Sequence, residues 1–308
     1  MNKKIKIYIV MISFILSISN SILLNAQQYL QIDTGVNPNT WVLIPAGKFY
    51  KGQHNHETII QYDYEIMVTD VTNEQYAKYL NAALASGFIK MVGDTVKGYY
   101  PGDKFNGFKH EFEIKAGYWT HMVLSEKGIR IKYAGGSFLA QKGFESHPVI
   151  MVSWFGAKSY ADFYGWRLPN ELEWEKAARG NDTRAYPWGD DFGNSHANYY
   201  SSYDVFEKTF GKLGGTTPVG FYNGKTYGDF KTNNNKSPYG LYDMAGNVWQ
   251  WVGNVKPDVH YRYMRGGSLA TYEQHLRIWA ENNAGPDYYG LDVGFRCARD
   301  ISEAIKGK

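Results

Sequence analysis

Residues 240–251 read GLYDMAGNVWQW and combine a tight, oxygen-rich turn with a cluster of large aromatic side chains. Asp243 and Gln250 can offer side-chain oxygens, and the turn between them can present backbone carbonyls. Hard cations such as calcium prefer a shell built of oxygen ligands. The same side chains can instead bond only to the amides of the turn. The segment therefore predicts a sharp turn that is held either by a cation or by its own hydrogen bonds.

Residues 1–26 have the organisation of an export signal. Three lysines precede a short apolar run over residues 7–18, and Ala26 offers a small residue at a cleavage point. The run is too short for a transmembrane helix, which needs about 20 apolar residues. We therefore expect a cleaved signal and a bacterial protein that is periplasmic, at the cell surface or secreted, with no membrane span after cleavage. An uncleaved anchor is the alternative reading.

The charge balance limits which partners the protein can bind, and the cysteine content limits how its fold can be stabilised. Of 33 basic residues three lie in the signal, so the remaining 30 balance the 30 acidic residues. This balance gives no electrostatic footprint for nucleic acid or for an anionic membrane. Cys297 is the only cysteine, so no disulfide can form within the chain. A core, bound ions or both must stabilise residues 27–308, which are long enough for one large domain or two.

Aromatic residues make up 17% of the chain and glycines number 33, a combination that favours a loop-rich fold. Tyrosine and tryptophan bury a large area but carry a polar atom that needs a partner. We expect amphipathic rings to hold the irregular segments together. The same composition also suits a surface that binds sugars or peptides.

Local patterns predict three helices and several short strands. Each helix begins at a capping residue and ends at a glycine, from Thr72 to Gly87, Ser153 to Gly165 and Asn170 to Gly180. Strands are expected within residues 41–49 around a Pro-Ala-Gly turn, at 64–71 and at 147–152. Residues 87–146 carry two hairpin-like turns, near residues 93–94 and 126–128, and we expect a lid or an inserted subregion there.

Eight motifs follow one another in the order WVLIPAGKF, TDVTNEQY, HPVIMVSWFGAKSYADF, RLPNELEWEKAARG, YPWGD, SPYGLYDMAGNVWQW, RGGS and GFRCARD. In this order they resemble the formylglycine-generating enzyme (sulfatase-modifying factor) family over residues 41–300. The resemblance implies an α+β fold, the C-type-lectin-like formylglycine-generating-enzyme fold, with little regular secondary structure. It also implies that residues 27–308 form a single domain with residues 87–146 as a lid-like insertion.

The resemblance also implies a structural calcium ion at the turn described above. Carried over, its ligands would be the side chains of Asp243 and Gln250 and the carbonyls of Gly246 and Val248. Gln250 stands where the family has glutamate, and the loss of an anionic ligand weakens calcium affinity.

The family has a second calcium site. Asn198 and Tyr199 match its first ligands, whereas its later aspartate is replaced near Gly211. We therefore expect the second site to be degraded and calcium binding there to be weak.

The catalytic positions of the family lack their thiols in this chain. Family oxidases place one cysteine three residues after the GGS serine and a second five residues further on, and these positions hold Thr271 and Leu276. A thiolate is a soft ligand that selects monovalent copper, and a hydroxyl or a methyl group does not replace it. We expect no copper, and we expect Cys297 to be a small buried apolar residue.

Other catalytic patterns are missing as well. The eight histidines form neither the HxxxH nor the HxxxHxE pattern of iron-dependent relatives, so we expect no iron. His54 and His56 would share one face of a strand, which permits a metal but is typical of a solvated turn. No G-x-S-x-G, Walker loop or HExxH occurs. We expect Asp190 and Asp191 to belong to a polar turn.

Three functions remain for the groove that the resemblance implies. The first is an exported, non-catalytic binding or scaffold protein whose ligand is a peptide or a glycan, or whose partners are envelope proteins. The second is a metal-dependent oxidoreductase that modifies a protein or a small molecule by a different mechanism. The third, genuine formylglycine generation, is disfavoured by the missing cysteines. The groove would be lined by Trp249, Ser268, Thr271, Tyr272, His275 and Arg277 and partly covered by residues 87–146.

Overall fold

The computed structural model describes residues 32–211, 215–256 and 259–301. The predicted export signal, residues 1–26, lies outside these ranges. Within them, no helix is both long and apolar enough to cross a membrane.

Four α-helices and one short 3-10 helix are present in the described residues. They are α1 (Asn73–Ala85), α2 (Trp154–Phe163), α3 (Glu171–Arg179), α4 (Val205–Phe210) and the 3-10 helix Glu273–Leu276. The three predicted helices are confirmed with their caps, because the side chains of Thr72, Ser153 and Asn170 each accept a hydrogen bond from the first turn. The sequence does not predict α4, because six residues are too short for a helical period and only the cap Asp204 marks its start.

Short strands in the same part of the chain form six small sheets. They are β1 (Trp41–Ile44), β2 (Gly47–Lys51), β3 (His56–Ile60), β4 (Tyr64–Met67), β5 (Ile89–Val92), β6 (Thr95–Tyr100), β7 (Gly117–Val123), β8 (Ile131–Ala134), β9 (Ser137–Ala140), β10 (Thr226–Tyr227), β11 (Phe230–Lys231), β12 (Trp249–Lys256), β13 (Tyr261–Arg265), β14 (Glu281–Ala284), β15 (Val293–Phe295) and β16 (Ala298–Asp300). The largest sheet has the order β14-β13-β12-β15, in which β12 and β15 run parallel. A second sheet, β1-β4-β16, joins the first strand to the last. This arrangement confirms the α+β fold class.

Aromatic rings hold the irregular segments together, as the composition predicts. Tyr76, Tyr79 and Tyr160 pack ring against ring between α1 and α2, with centroids 5.2 to 5.8 Å apart. The buried indole of Trp251 donates a hydrogen bond to the Val152 carbonyl at 3.1 Å. Because such rings bring both buried area and a hydrogen bond, they can support a core without disulfides.

Residues 147–152 are buried but do not form the predicted strand. Their amides bond to separate segments: that of Val149 donates to the Val71 carbonyl, and that of Met151 donates to the Gly290 carbonyl. Met151 also has a φ angle of 58°, which bends the chain out of a regular ladder. This apolar run therefore crosses the core as a connection between sheets.

Residues 87–146, which we call the lid segment, form two separate sheets. Strands β5, β6 and β7 pair in sequence, and the predicted turn at residues 93–94 is confirmed. Strand β8 pairs with β9 through a turn at residues 135–136. The prediction of a hairpin at residues 126–128 is wrong, because that turn connects β7 to β8, which belong to different sheets.

Candidate functional site

The predicted sharp turn is confirmed by the backbone of residues 240–251. Asp243, Gly246 and Asn247 have φ angles of 56°, 81° and 62°. Glycine is required at position 246, because a Cβ there would lie 2.5 Å from the Asn198 carbonyl oxygen. The same carbonyl accepts the amide of Asn247 at 2.8 Å, which closes the turn against the neighbouring loop.

Gln250 is fully buried, and both polar atoms of its side chain have partners within the protein. Its Oε1 accepts hydrogen bonds from Trp174 Nε1 at 2.7 Å and from Arg296 Nε at 2.8 Å. Its Nε2 donates to the Asp243 carbonyl at 2.7 Å. An amide oxygen has two lone pairs, so two donors leave none for a cation. Gln250 therefore closes the turn by hydrogen bonds and is not placed as a calcium ligand.

The calcium set implied by the resemblance does not fit these contacts. Gln250 Nε2 directs its N–H at the Asp243 backbone carbonyl, so this side of the amide presents a donor and not an oxygen ligand. Without Gln250 the implied set keeps one carboxyl group and the carbonyls of Gly246 and Val248, so waters would have to supply most of the six to eight oxygens, roughly, that calcium takes. The contacts of Gln250 thus speak against this ligand set, and calcium binding at the turn stays a prediction.

Arg296 supplies the positive charge of this buried region. Its guanidinium donates to the Tyr242 carbonyl at 2.8 Å and lies 3.2 Å from Asp70 Oδ1. Burial raises the pKa of Asp70 to about 8, and the charge of Arg296 opposes that rise. Burial also raises the pKa of Asp243, whose Oδ2 accepts the Gly220 amide at 2.6 Å. A fixed internal cation therefore faces these two carboxyl groups.

The residues predicted for a second calcium have structural contacts. Asn198 Nδ2 donates to the Gly215 carbonyl at 3.1 Å. The Tyr199 ring packs against Phe192 with centroids 5.1 Å apart. Within the described ranges, no group of three or more His, Cys, Asp or Glu side chains could hold a metal ion. Weak calcium binding at this loop stays a prediction.

At the positions of the family's thiols, one side chain is bonded to the backbone and the other is buried. Thr271 Oγ1 donates to the Ser268 carbonyl at 3.0 Å and accepts the Ser268 amide at 2.9 Å. Leu276 is fully buried. Cys297 is also fully buried, and burial raises the pKa of its thiol well above the usual value. Thr271 and Leu276 thus supply no soft ligand, and Cys297 is the buried apolar residue that was expected.

Several predicted groove residues lie together around the GGS loop. The rings of Trp249 and His275 lie 6.5 Å apart, centroid to centroid. Ser268 is buried, and its Oγ donates to Asp292 Oδ2 at 2.6 Å. Gly267 has a φ angle of 68°, and a Cβ there would lie 2.7 Å from the His275 carbonyl oxygen. The second glycine of the motif is therefore needed for the close approach of these two segments.

Two predicted groove residues make contacts of a different kind. Tyr272 is exposed and packs against the ring of Tyr200, with centroids 4.8 Å apart. The Arg277 guanidinium lies 5.9 Å from the centroid of the Trp279 ring. These two residues are therefore held by aromatic contacts of their own.

A pocket of about 530 Å³ lies between the lid segment and the loop after β13, and we call it the lid pocket. Asp292, the partner of Ser268, is part of its wall, which connects the pocket to the predicted groove. Most of the wall is apolar and comes from Phe144, Ile150, Phe210, Leu269 and Leu291. The sequence does not reveal this wall, because its residues come from separate segments and share no motif.

A larger pocket of about 800 Å³ lies elsewhere on the molecule. Its polar wall includes Tyr62, Arg167, Asn254 and Asp300. The charge of Arg167 is already matched, because it forms ion pairs with Glu173 at 2.6 Å and with Asp300 at 2.7 Å. The candidate site is therefore the lid pocket, which borders the GGS loop.

Residues 28–301 match the family described as Sulfatase-modifying factor enzyme 1-like domain. The chain belongs to this family. Inactive C-alpha-formylglycine-generating enzyme 2 from Bos taurus is a similar protein, 26% identical over 88% of this chain and 91% of that relative. The serine/threonine-protein kinase pkn1 of Chlamydia caviae is 29% identical over 84% of this chain, but the chain spans only 38% of that kinase.

A solved structure has the same fold. The crystal structure of CarF aligns with a TM-score of 0.55 and 23% identity, covering 87% of this chain and all of that chain (100%). This likeness confirms the fold that the motifs imply for a member of the sulfatase-modifying factor family.

In this family member, His260 links the lid segment to the β12–β13 hairpin. It donates from Nδ1 to Asp103 Oδ2 at 2.9 Å and bonds to Glu111 through Nε2. Arg262 and Tyr100 also donate to the Asp103 carboxylate, at 2.6 and 2.5 Å. Burial lowers the pKa of His260, but its hydrogen bonds to the two carboxylates raise it more, so that the net pKa lies above the usual value.

We expect this link to weaken as the pH rises above neutrality. A histidine whose pKa is raised in the folded state contributes stability that is complete below its unfolded pKa of about 6.5. That stability is lost as the pH rises through the folded pKa. Hydrogen exchange of residues 101–116 at pH 6 and pH 9, corrected for intrinsic rates, should show more protection at pH 6. His260→Gln should remove this difference, and His54→Gln, at an exposed position, should keep it. Equal protection of the unsubstituted protein at both pH values would contradict the assignment.

Acid should weaken the same link from the other side. Burial raises the pKa of Asp103 and that of Glu111, but their hydrogen bonds lower both pKa values more, so that each lies below its usual value. A carboxyl group whose pKa is lowered by folding contributes stability at pH values above its unfolded pKa. That stability is lost as the pH falls through its folded pKa. Protection of residues 101–116 should therefore pass through a maximum on the acid side of neutrality.

Proposed function

We propose that this family member is an exported, non-catalytic protein that binds an extended peptide in the lid pocket. One observation carries the proposal: an open apolar pocket is present next to a loop in which the thiol positions hold other side chains. Thr271 follows the pocket-lining Ala270 directly, and its hydroxyl is bonded to the backbone of Ser268. The pocket can therefore receive a ligand, whereas the neighbouring loop offers no thiol.

The non-catalytic role has support from a relative. The bovine protein with which this chain shares 26% identity over 88% of its length is named an inactive formylglycine-generating enzyme. A location in the bacterial envelope, with envelope proteins as the source of the peptide, belongs to the same proposal and rests on the signal-like residues 1–26.

A peptide fits the pocket wall better than a glycan does. Sugars are held by planar polar side chains around an aromatic platform, whereas small apolar pockets suit hydrophobic groups with a few polar anchors. The wall side chains Phe144, Ile150 and Leu269 are buried and apolar. The exposed side chains of Phe210 and Leu291 extend this apolar surface. An apolar side chain of a bound peptide would complete this wall.

Filling the pocket should abolish peptide binding without unfolding the protein. Ala270 is exposed and lines the pocket, so Ala270→Trp adds a large side chain at its wall and leaves the core unchanged. Peptides selected from a random library against the mature protein should bind Ala270→Trp at least about tenfold more weakly, a loss of roughly 1.4 kcal/mol. Ala134→Trp, a change at the exposed last residue of β8, is the matched control and should bind normally.

Fluorescence polarisation with the selected peptides measures the loss, and thermal unfolding checks that both variants are folded. Equal binding by the two tryptophan variants would contradict the site. Selection of glycans in place of peptides, with the same sensitivity to Ala270→Trp, would contradict the ligand class. Conversion of a cysteine peptide to formylglycine, seen as a mass change in the presence of copper, would contradict the non-catalytic role.

A further inference from the structure

Arg130 is a half-buried cation in the wall of the lid pocket, and the structure gives it no carboxylate partner within the described ranges. Its Nη1 donates only a long hydrogen bond, 3.4 Å, to Gln141 Oε1. Its guanidinium lies 3.9 Å from the centroid of the Phe144 ring, which fixes its plane against an apolar surface. Lys127, which is exposed at the same pocket, adds a second positive charge.

The Arg130 side chain is only partly removed from water, because its burial is intermediate. A ligand that covers it further must offset the free energy of leaving water by hydrogen bonds or an opposite charge. Burial lowers the pKa of Arg130, and no neighbouring charge is a cause of that shift. Arginine presents five N–H groups in a planar fork that matches a carboxylate. Most of this fork is therefore available to a ligand in the pocket.

We infer that the lid pocket takes a peptide in which a carboxylate stands next to a large apolar side chain. The inference rests on the proposed function and names the recognised sequence class. Arg130 binds the carboxylate through two parallel hydrogen bonds, and Lys127 adds longer-range attraction. The apolar side chain packs against Phe144, Phe210 and Leu291. The carboxylate is an acidic side chain or the end of a chain, since both present the same two oxygens.

The opposite charge in the pocket favours a peptide over a fatty acid. Asp292 also lines the pocket, and its Oδ2 accepts the Ser268 hydroxyl at 2.6 Å. A peptide offers N–H donors to such a carboxylate as well as an acidic group to Arg130. A fatty acid has one carboxylate and no donor, and its tail would lie against the charge of Asp292.

Three short labelled peptides test the inference on the mature full-length protein. Two are blocked at both ends and differ only in a central Phe-Glu or Phe-Gln pair, and the third ends in Phe with a free carboxylate. By fluorescence polarisation we expect Phe-Glu to bind about tenfold more tightly than Phe-Gln, the effect of a charge-assisted hydrogen-bonded pair. Comparison with the third peptide shows whether a side chain or a chain end supplies the carboxylate.

Arg130→Met keeps the apolar stem over Phe144 and removes the charge, so it should bind Phe-Glu and Phe-Gln equally. Lys132→Met removes a charge from an exposed position of β8 outside the pocket and should retain the preference. The melting temperature of Arg130→Met should fall by no more than a few degrees, because no ion pair is lost and the cation–π contact with the Phe144 ring contributes only modest stability. A preference of Arg130→Met for Phe-Glu as strong as that of the unsubstituted protein would overturn the inference.

The outcomes separate the inference from the proposed function. If Phe-Glu and Phe-Gln bind equally and Ala270→Trp still abolishes binding, the acidic preference is wrong and the peptide site stands. If neither peptide binds and Ala270→Trp has no effect on any selected peptide, the proposed function fails. Displacement of Phe-Glu by laurate at equal concentration would overturn the choice of a peptide over a fatty acid.

Discussion

Replacing Gln250 by glutamate should destabilise the protein and make its stability depend on calcium. A carboxylate can still accept from Trp174 and Arg296, but its second oxygen would face the Asp243 carbonyl that Nε2 now bonds at 2.7 Å. A buried acceptor without a donor costs about 1 to 3 kcal/mol, and more when it is charged. We expect a fall in melting temperature of roughly 5 to 10 °C. Millimolar calcium should reverse it, because the new carboxylate supplies the missing anionic ligand.

Thermal unfolding in a chelator and in calcium measures both effects. The unsubstituted protein should lose far less stability in the chelator than Gln250→Glu does. Gln53→Glu adds the same charge at an exposed position and should respond to neither condition. If chelation leaves Gln250→Glu as stable as the unsubstituted protein, the hydrogen bonds of Gln250 do not replace the ion.

Replacing Arg296 by methionine should be the most destabilising single change in this region. Its guanidinium bonds to the carbonyls of Met67, Val68 and Tyr242 and to Gln250 Oε1, at 2.8 to 3.2 Å, all in the core. Gln250 Oε1 and the Val68 carbonyl keep other donors. The Tyr242 carbonyl, however, loses its donor and the buried Asp70 carboxyl group loses its cation, at a cost of about 1 to 3 kcal/mol or more each. We expect a loss of about 4 kcal/mol or more, which places it among the exceptional point mutations.

Denaturant unfolding of Arg296→Met and Arg299→Met gives the comparison. Arg299 pairs with Glu65 at 2.7 Å and its side chain is 34% exposed, so its loss should cost no more than about 1 kcal/mol. If Arg296→Met does not fold, Arg296→Lys keeps the charge, loses part of the fork and should be intermediate in stability. Similar losses for Arg296→Met and Arg299→Met would show that the buried network contributes little.

The sequence predicts local structure well where the signal is local. The caps Thr72, Ser153 and Asn170 act on amides three residues away, and all three helices begin where these caps place them. Residues 147–152 lack such a signal. Their apolar run indicates burial correctly, but their amide partners come from other segments, and these partners decide whether a strand forms.

The candidate site could be predicted in part for the same reason. The order of the motifs locates the GGS loop and the positions without thiols, because both can be read from the local sequence without knowledge of tertiary contacts. The role of Gln250 depends on Trp174 and Arg296, which lie 76 and 46 residues away and determine which way its amide points. The lid pocket and Arg130 depend on the packing of the lid segment, for which the sequence has no motif.

The pairing of β16 with β4 affects the order in which the molecule can be completed. Strand Tyr64–Met67 finds its second partner only in Ala298–Asp300, and Arg296 reaches the Met67 carbonyl across 229 positions of sequence. Contacts of such long range are formed late and slow folding. The β1-β4-β16 sheet therefore cannot be completed before residues 298–300 have been synthesised. Loss of residues 298–300 should consequently leave one edge of β4 without its partner and be as damaging as a core mutation.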